Sequence, residues 1–146
     1  MSDFRKLSDS MYASPQIDPA QVAEAKALGI AMIVNNRPDG EAPDQPEGAA
    51  VEQAAKDAGI AYRAIPVGGS GFGEPQVTAM LEALDAAEGP VLAFCRSGTR
   101  STLLWSLAQA AQGGDPDAIA AAARQAGYDI TPVRMAMDVL AQRAKG

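Results

Sequence analysis

Cys95, Arg96, Ser97, Gly98, Thr99, Arg100 and Ser101 are the residues whose types and order could do chemistry: the chain's one cysteine, two arginines, a glycine and three hydroxyls in seven positions. An apolar run at 90–94 precedes them, and Leu103, Leu104, Leu107 and Ala108 follow at helical spacing, with Ser101 or Thr99 able to cap that helix. The pattern therefore predicts a buried strand, a tight loop and a helix start. Backbone N–H groups at such a loop converge on an anion, and the helix dipole adds positive potential. That field favours thiolate over thiol, so Cys95 is expected to ionise below the free value of about 8.5 and act as a nucleophile. Arg96 and Arg100 can hold a tetrahedral oxyanion or a thiosulfonate by paired hydrogen bonds, and Gly98 lets the backbone come close to a bound group. The bland reading is a small hydrophobe at a strand end, the commoner fate of a lone cysteine.

Composition narrows the chemistry. Histidine is absent from the 146 residues, so no Ser-His or Cys-His dyad and no histidine-ligated metal can form. Activation of Cys95 must come from backbone dipoles and arginine. One cysteine allows no internal disulfide and no zinc cluster, and no cofactor or metal is expected. A net charge of −6 with scattered basic residues argues against nucleic acid and anionic membranes. The N-terminal stretch lacks an apolar targeting core and no run approaches membrane-spanning length, which gives a cytoplasmic expectation.

The chain reads as one domain over residues 1–146, of α/β class, with a central mainly parallel sheet flanked by helices. Apolar stretches at 4–7 and 11–13 suggest a small hairpin on the sheet edge. Asp18-Pro19 starts a helix ending at Gly29, and 30–34 is a buried strand. The following loop carries Arg37 and Asp39, possible supports for the site, although its Asn, Pro, Asp and Gly are also ordinary turn residues. A helix at 48–58, a strand at 60–67 and a glycine-rich loop at 68–73 come next, the last read as a mobile cover or a plain connector. Helices at 75–87, 118–126 and from Thr131-Pro132 to about 144 complete the pattern, with Val133, Met137 and Leu140 as core.

Residues 95–101 resemble two families' loops. The protein-tyrosine and dual-specificity phosphatase loop has five residues between Cys and Arg-Ser, one more than here, whereas the rhodanese pattern Cys-Arg-x-Gly-x-Arg fits directly. The segments MYASPQI, IVNNRPDGE, IPVGGSGF and VLAFCRSGTRSTLLW together resemble the beta-lactamase-hydrolase-like protein, phosphatase-like domain family. That resemblance implies a dual-specificity-phosphatase-like fold with a rhodanese-length loop, and a persulfide dioxygenase as a partner in trans.

Two chemistries and one non-catalytic role fit these residues. Phosphate ester hydrolysis profits from a general acid, typically by about 10²–10⁴-fold, and the loop at 68–74 offers only Glu74 in place of an aspartate. Phe94 stands where the phosphatases have histidine. Sulfur transfer needs little protonation of its leaving group. The expectation is therefore a sulfurtransferase in which Cys95 takes sulfane sulfur from thiosulfate or a persulfide and passes it to a small thiol or cyanide. Arg96 and Arg100 would orient the donor, and Ser101 would bond the thiolate. The alternatives are a phosphatase acting through a Cys95 phosphocysteine and an anion-binding module without turnover.

Overall fold

The computed structural model describes residues 2–69 and 71–145. The expected position of Ser70 in the glycine-rich loop lies outside the described residues. Five strands form one sheet: β1 (Arg5–Ser8), β2 (Met11–Ser14), β3 (Met32–Asn35), β4 (Ala61–Ala64) and β5 (Val91–Phe94), in the order β1-β2-β5-β3-β4. Only β1 runs antiparallel to its neighbour; the β2-β5, β5-β3 and β3-β4 pairs are parallel. The helices are α1 (Pro19–Ala27), α2 (Gly48–Asp57), α3 (Glu74–Ala86), α4 (Thr99–Ala111), α5 (Pro116–Gln125) and α6 (Arg134–Lys145), with a 3₁₀ turn at Thr131–Val133. No helix among the described residues is long and apolar enough to cross a membrane.

The period of two along the strands splits the core into two layers. Met32, Val34, Val91 and Ala93 face α3, α4, α5 and α6, while Ile33, Leu92 and Phe94 face α1 and α2. β3 and β5 are buried at all four positions, as strands covered on both faces must be. β4 is the sheet edge and is mostly exposed. The buried residues expected in this strand, Ile65 and Val67, lie just past it, where their N–H groups donate to the Asn35 and Asn36 carbonyls.

Two boundaries differ from the sequence reading for stated reasons. The hairpin at 4–13 is present, but of its two strands only β1 lies at an edge, because β2 also pairs with β5. Ile30 and Ile60 belong to helix exits rather than to strands. Each follows a glycine of positive φ (Gly29 at 83°, Gly59 at 75°), and its N–H returns to the carbonyl five residues earlier, on Ala25 or Ala55. This is the Schellman closure, which folds an apolar residue back onto the helix end.

Candidate functional site

The parallel strands β2, β3 and β5 all end at the side of the sheet where α4 begins. Cys95 follows β5 directly and is fully buried, its N–H donating to the carbonyl of Ser14, the last residue of β2. The chain then turns through Arg96 and Ser97 to Gly98, which caps α4 with φ 92° and no side-chain hydrogen bond. Thr99 and Ser101, the expected caps, lie inside the helix. Gly98 occupies the cap because it must be left-handed and closely approached: a Cβ there would sit 2.1 Å from the Tyr128 hydroxyl oxygen and 3.2 Å from the Ser14 carbonyl carbon. The Gly98 N–H points to Cys95 Sγ at 3.1 Å. Ser97 Oγ donates to Thr99 Oγ1 and accepts from the Thr99 N–H, so both hydroxyls shape the loop.

Arg100 is held on one edge. Its Nη1 donates to Glu41 Oε2 at 2.7 Å and to the Val67 carbonyl at 2.8 Å, and its Nη2 donates to Glu41 Oε1 at 2.9 Å. A guanidinium has five N–H donors. The Nε–H and the second Nη2–H have no partner among the described residues, and these are the two parallel donors that grip a tetrahedral oxyanion. Glu41 raises the pKa of Arg100 first, burial opposes this, and the negative charge of a Cys95 thiolate raises it further. The guanidinium thus lies within electrostatic reach of the sulfur.

Glu41 is itself bracketed by Arg37, whose Nε donates to Oε1 at 2.9 Å and whose Nη1 reaches Gln16 Oε1 at 3.1 Å. The hydrogen bonds from Arg100 are the largest influence on the Glu41 carboxyl; burial opposes them, and with the added pull of Arg37 the carboxyl is held down to about 2. Beneath them, Asn36 ties three segments together. Its backbone N–H donates to the Phe94 carbonyl, its Nδ2 donates to the Ile65 carbonyl, and its Oδ1 accepts from the buried Ser101 hydroxyl at 2.8 Å.

The structure therefore brings Cys95, Ser97, Gly98, Thr99 and Arg100 into one cradle and sets Arg37 just behind it. It assigns the single Ser101 donor to Asn36 rather than to Cys95. Arg96 is exposed and makes none of the ion pairs among the described residues; its carbonyl accepts from the Gln16 N–H. Asp39 caps α2 instead, its Oδ1 accepting from the Gly48 N–H at 2.9 Å. Glu74 starts α3 and lines a groove of about 640 Å³ between α3, α4 and α6, with no hydrogen bond to residues 95–101 among the described residues. Glu41, Asn36 and Tyr128 were missed as site residues. Glu41 lies in the loop after β3, and nothing local announces a partner 59 positions away.

Residues 3–112 match the model of the family described as beta-lactamase hydrolase-like protein, phosphatase-like domain. The chain belongs to this family. The beta-lactamase hydrolase-like protein of Xylella fastidiosa strain Temecula1 is 39% identical over 125 residues, which are 85% of this chain and 29% of that protein. This phosphatase-like domain thus spans less than a third of the length of the curated relatives it matches. A solved structure from Neisseria meningitidis Z2491, named as a candidate phosphatase, is 35% identical, covers 96% of this chain and 99% of its own, and superposes with a TM-score of 0.83. Pseudomonas aeruginosa TpbA, solved in complex with pTyr, shares the fold at 22% identity and a TM-score of 0.67, over 99% of this chain and 91% of its own.

These findings overturn the expectation of a sulfurtransferase. The family and the Neisseria relative both carry the phosphatase description, and the fold is dual-specificity-phosphatase-like. A missing general acid lowers a phosphatase's rate, but it does not change which reaction the loop supports. Loop length discriminates no better, since either chemistry begins with the same thiolate and anion cradle.

Proposed function

We propose that the chain is a cysteine-dependent phosphatase of phosphate monoesters, with aryl phosphates and phosphotyrosine as the substrate class. The observation that carries this reading is the one-edged clamping of Arg100. Glu41 and Val67 occupy three of its donors and leave a parallel pair for the phosphoryl group. The complex of TpbA with pTyr supports the aryl ester over an alkyl one. So does the state of Glu41, the carboxyl bonded to Arg100: its arginines hold it ionised, so it has no proton to give, and phenoxide leaves with less protonation than an alkoxide.

Cys95 thiolate attacks phosphorus opposite the ester oxygen, the S–P bond forms, and the P–O bond breaks with its electron pair on the leaving phenoxide, which takes a proton from solvent. Water then attacks the phosphocysteine, the S–P bond breaks, and inorganic phosphate leaves with the thiolate restored. Arg100 and the loop N–H groups hold the equatorial oxygens, whose charge is spread widely in the transition state. A reducing, cytoplasmic setting is part of the proposal, because the nucleophile works only as a free thiolate.

The test is phosphate release from p-nitrophenyl phosphate and from a phosphotyrosine peptide, with vanadate as inhibitor. Turnover is expected to fall by at least about 10⁴-fold in Cys95→Ser. Release of phosphate at the wild-type rate by that variant, or no release by the wild-type protein, would end the reading.

A further inference from the structure

We infer that Tyr128 is a positioning residue for the nucleophile loop: it clamps the Ser97–Gly98 peptide so that the Gly98 N–H is aimed at Cys95. The observation is that both ends of one peptide unit are engaged. Tyr128 Oη donates to the Ser97 carbonyl at 3.1 Å, and the Gly98 N–H of the same unit donates to Cys95 Sγ at 3.1 Å. A trans peptide is planar with its C=O and N–H pointing in opposite directions. Holding the carbonyl outward therefore fixes the N–H inward. The Gly98 conformation would otherwise be free to flip, since glycine accepts positive and negative φ with similar ease.

The clamp is built by the same device that ends α1 and α2, turned to a different use. Gly127 has φ 92°, and the Tyr128 N–H returns to the Ala123 carbonyl at 2.9 Å, as Ile30 and Ile60 return to Ala25 and Ala55. At those two exits the folded-back residue is purely apolar. At the exit of α5 it is a tyrosine whose ring is buried in the core while its hydroxyl reaches the loop 31 positions earlier. A plain apolar residue would close the helix as well, so the closure alone gives no reason for the phenol.

The edge strand holds the ring from its other side. The Arg5 guanidinium lies 4.9 Å from the Tyr128 ring centroid, donates to the Ala126 carbonyl, and is paired with Asp3 at 3.0 Å. Burial raises the Tyr128 pKa, opposed by Arg5, so the hydroxyl stays protonated and remains a donor over the neutral range. Tyr128 also lies beyond residues 3–112, the part matched by the family model. The clamp is thus supplied by the C-terminal helical segment.

This inference rests on Cys95 being the working nucleophile of the proposed phosphatase, and its test reads the thiol directly so that the two can fail separately. Tyr128→Phe keeps the ring, the core contacts and the Arg5 stack and deletes only the O–H. The rate of Cys95 alkylation by iodoacetamide at pH 7, followed by intact mass, is expected to fall about tenfold. Circular dichroism and melting temperature should stay within a few degrees of wild type. With p-nitrophenyl phosphate, kcat should fall by a similar factor with KM within about twofold, because the misaimed N–H acts on the sulfur rather than on substrate binding. Alkylation at the wild-type rate in Tyr128→Phe overturns the inference. If the wild-type protein releases no phosphate, the phosphatase reading falls while the alkylation comparison still decides the role of Tyr128.

Discussion

The loops that leave β3 and β4 start from neighbouring parallel strands and face the same nucleophile loop, yet they are built differently. The β3 loop, residues 36–47, is cross-linked throughout: Asn36 to Phe94, Ile65 and Ser101, Arg37 to Glu41 and Gln16, Asp39 to Gly48, and Gln45 to both Pro38 and Glu41. The β4 loop, residues 65–73, is tied down only at its start: the Ile65 and Val67 N–H groups donate to the Asn35 and Asn36 carbonyls, the Ile65 carbonyl accepts from Asn36 Nδ2, and Arg100 receives one acceptor, the Val67 carbonyl. Beyond it the described hydrogen bonds are local, Gly71 N–H to the Gly68 carbonyl and Gly73 N–H to Gln76 Oε1. One loop pre-organises charge around Arg100, and the other adds a single carbonyl to it. Transition-state stabilisation comes from groups already in place, so the catalytic weight should fall on the β3 side.

Arg100 is where both loops meet, and of the changes that probe the two loops its replacement should have the largest effect. Arg100→Lys keeps the charge but can offer neither the paired donors for an oxyanion nor the forked grip on Glu41 and Val67. A loss of about 10²–10³ in kcat/KM toward aryl phosphates is expected. A loss below tenfold would mean that a point charge suffices and that the free edge of the guanidinium is not what binds phosphate.

Asn36→Ala tests whether the β3 loop is held by its buried cross-link. It leaves the buried Ser101 hydroxyl and the Ile65 carbonyl without partners. The expected cost is about 2–4 kcal/mol by urea unfolding, with a melting temperature lower by about 5–15 °C. A cost under about 0.5 kcal/mol would show that solvent replaces both bonds and that the loop needs no such anchor.

The sequence made the nucleophile loop legible because its information is local: an apolar strand, a cysteine, a glycine that can turn left-handed and a helix start lie within a dozen residues. The parallel sheet followed from the same kind of pattern. Glu41, Asn36 and Tyr128 were not legible, because each acts on a partner that only tertiary structure supplies: Arg100, Ser101 and the Ser97 carbonyl. Asn36 and Glu41 sit in a stretch whose Asn, Pro, Asp and Gly satisfy turn chemistry, and that reading hides any second role. Asp39 shows the reverse: a carboxylate in the right loop, spent on the start of α2. Thr99 and Ser101 looked like caps by residue type, but the position had to be glycine because of a tyrosine just past the end of α5.

Glu41→Gln separates positioning from charge. The amide keeps the shape and loses the charge-assisted pairing to both arginines, so kcat/KM should fall about tenfold. The pH dependence has a definite sign. The native carboxyl is depressed from its ordinary 4.5 to about 2, so the pair's contribution is fully present above about pH 4.5 and is lost as pH falls towards 2. Wild-type stability by urea titration should therefore drop between pH 5 and 2, and Glu41→Gln should lack that part of the slope. The difference will be small, because both side chains are about a quarter exposed. Parallel slopes in the two proteins would show that Glu41 carries no linked proton.

The smallest effect is expected on the β4 side. Glu74 opens α3 beside Phe72 and Val77 in the groove against α4 and α6, away from the bonds that organise Arg100. If the β3 loop and the nucleophile loop do the work, Glu74→Gln should change kcat toward p-nitrophenyl phosphate by less than about threefold, well short of the 10²–10⁴ of a general acid. Alkyl phosphates sharpen the comparison, since an alkoxide cannot leave unaided. A loss of about 100-fold on an alkyl ester, with little loss on the aryl ester, would show that Glu74 delivers the leaving-group proton when substrate is bound. The β4 loop would then be a working part of the site rather than a bystander that lends Arg100 one carbonyl.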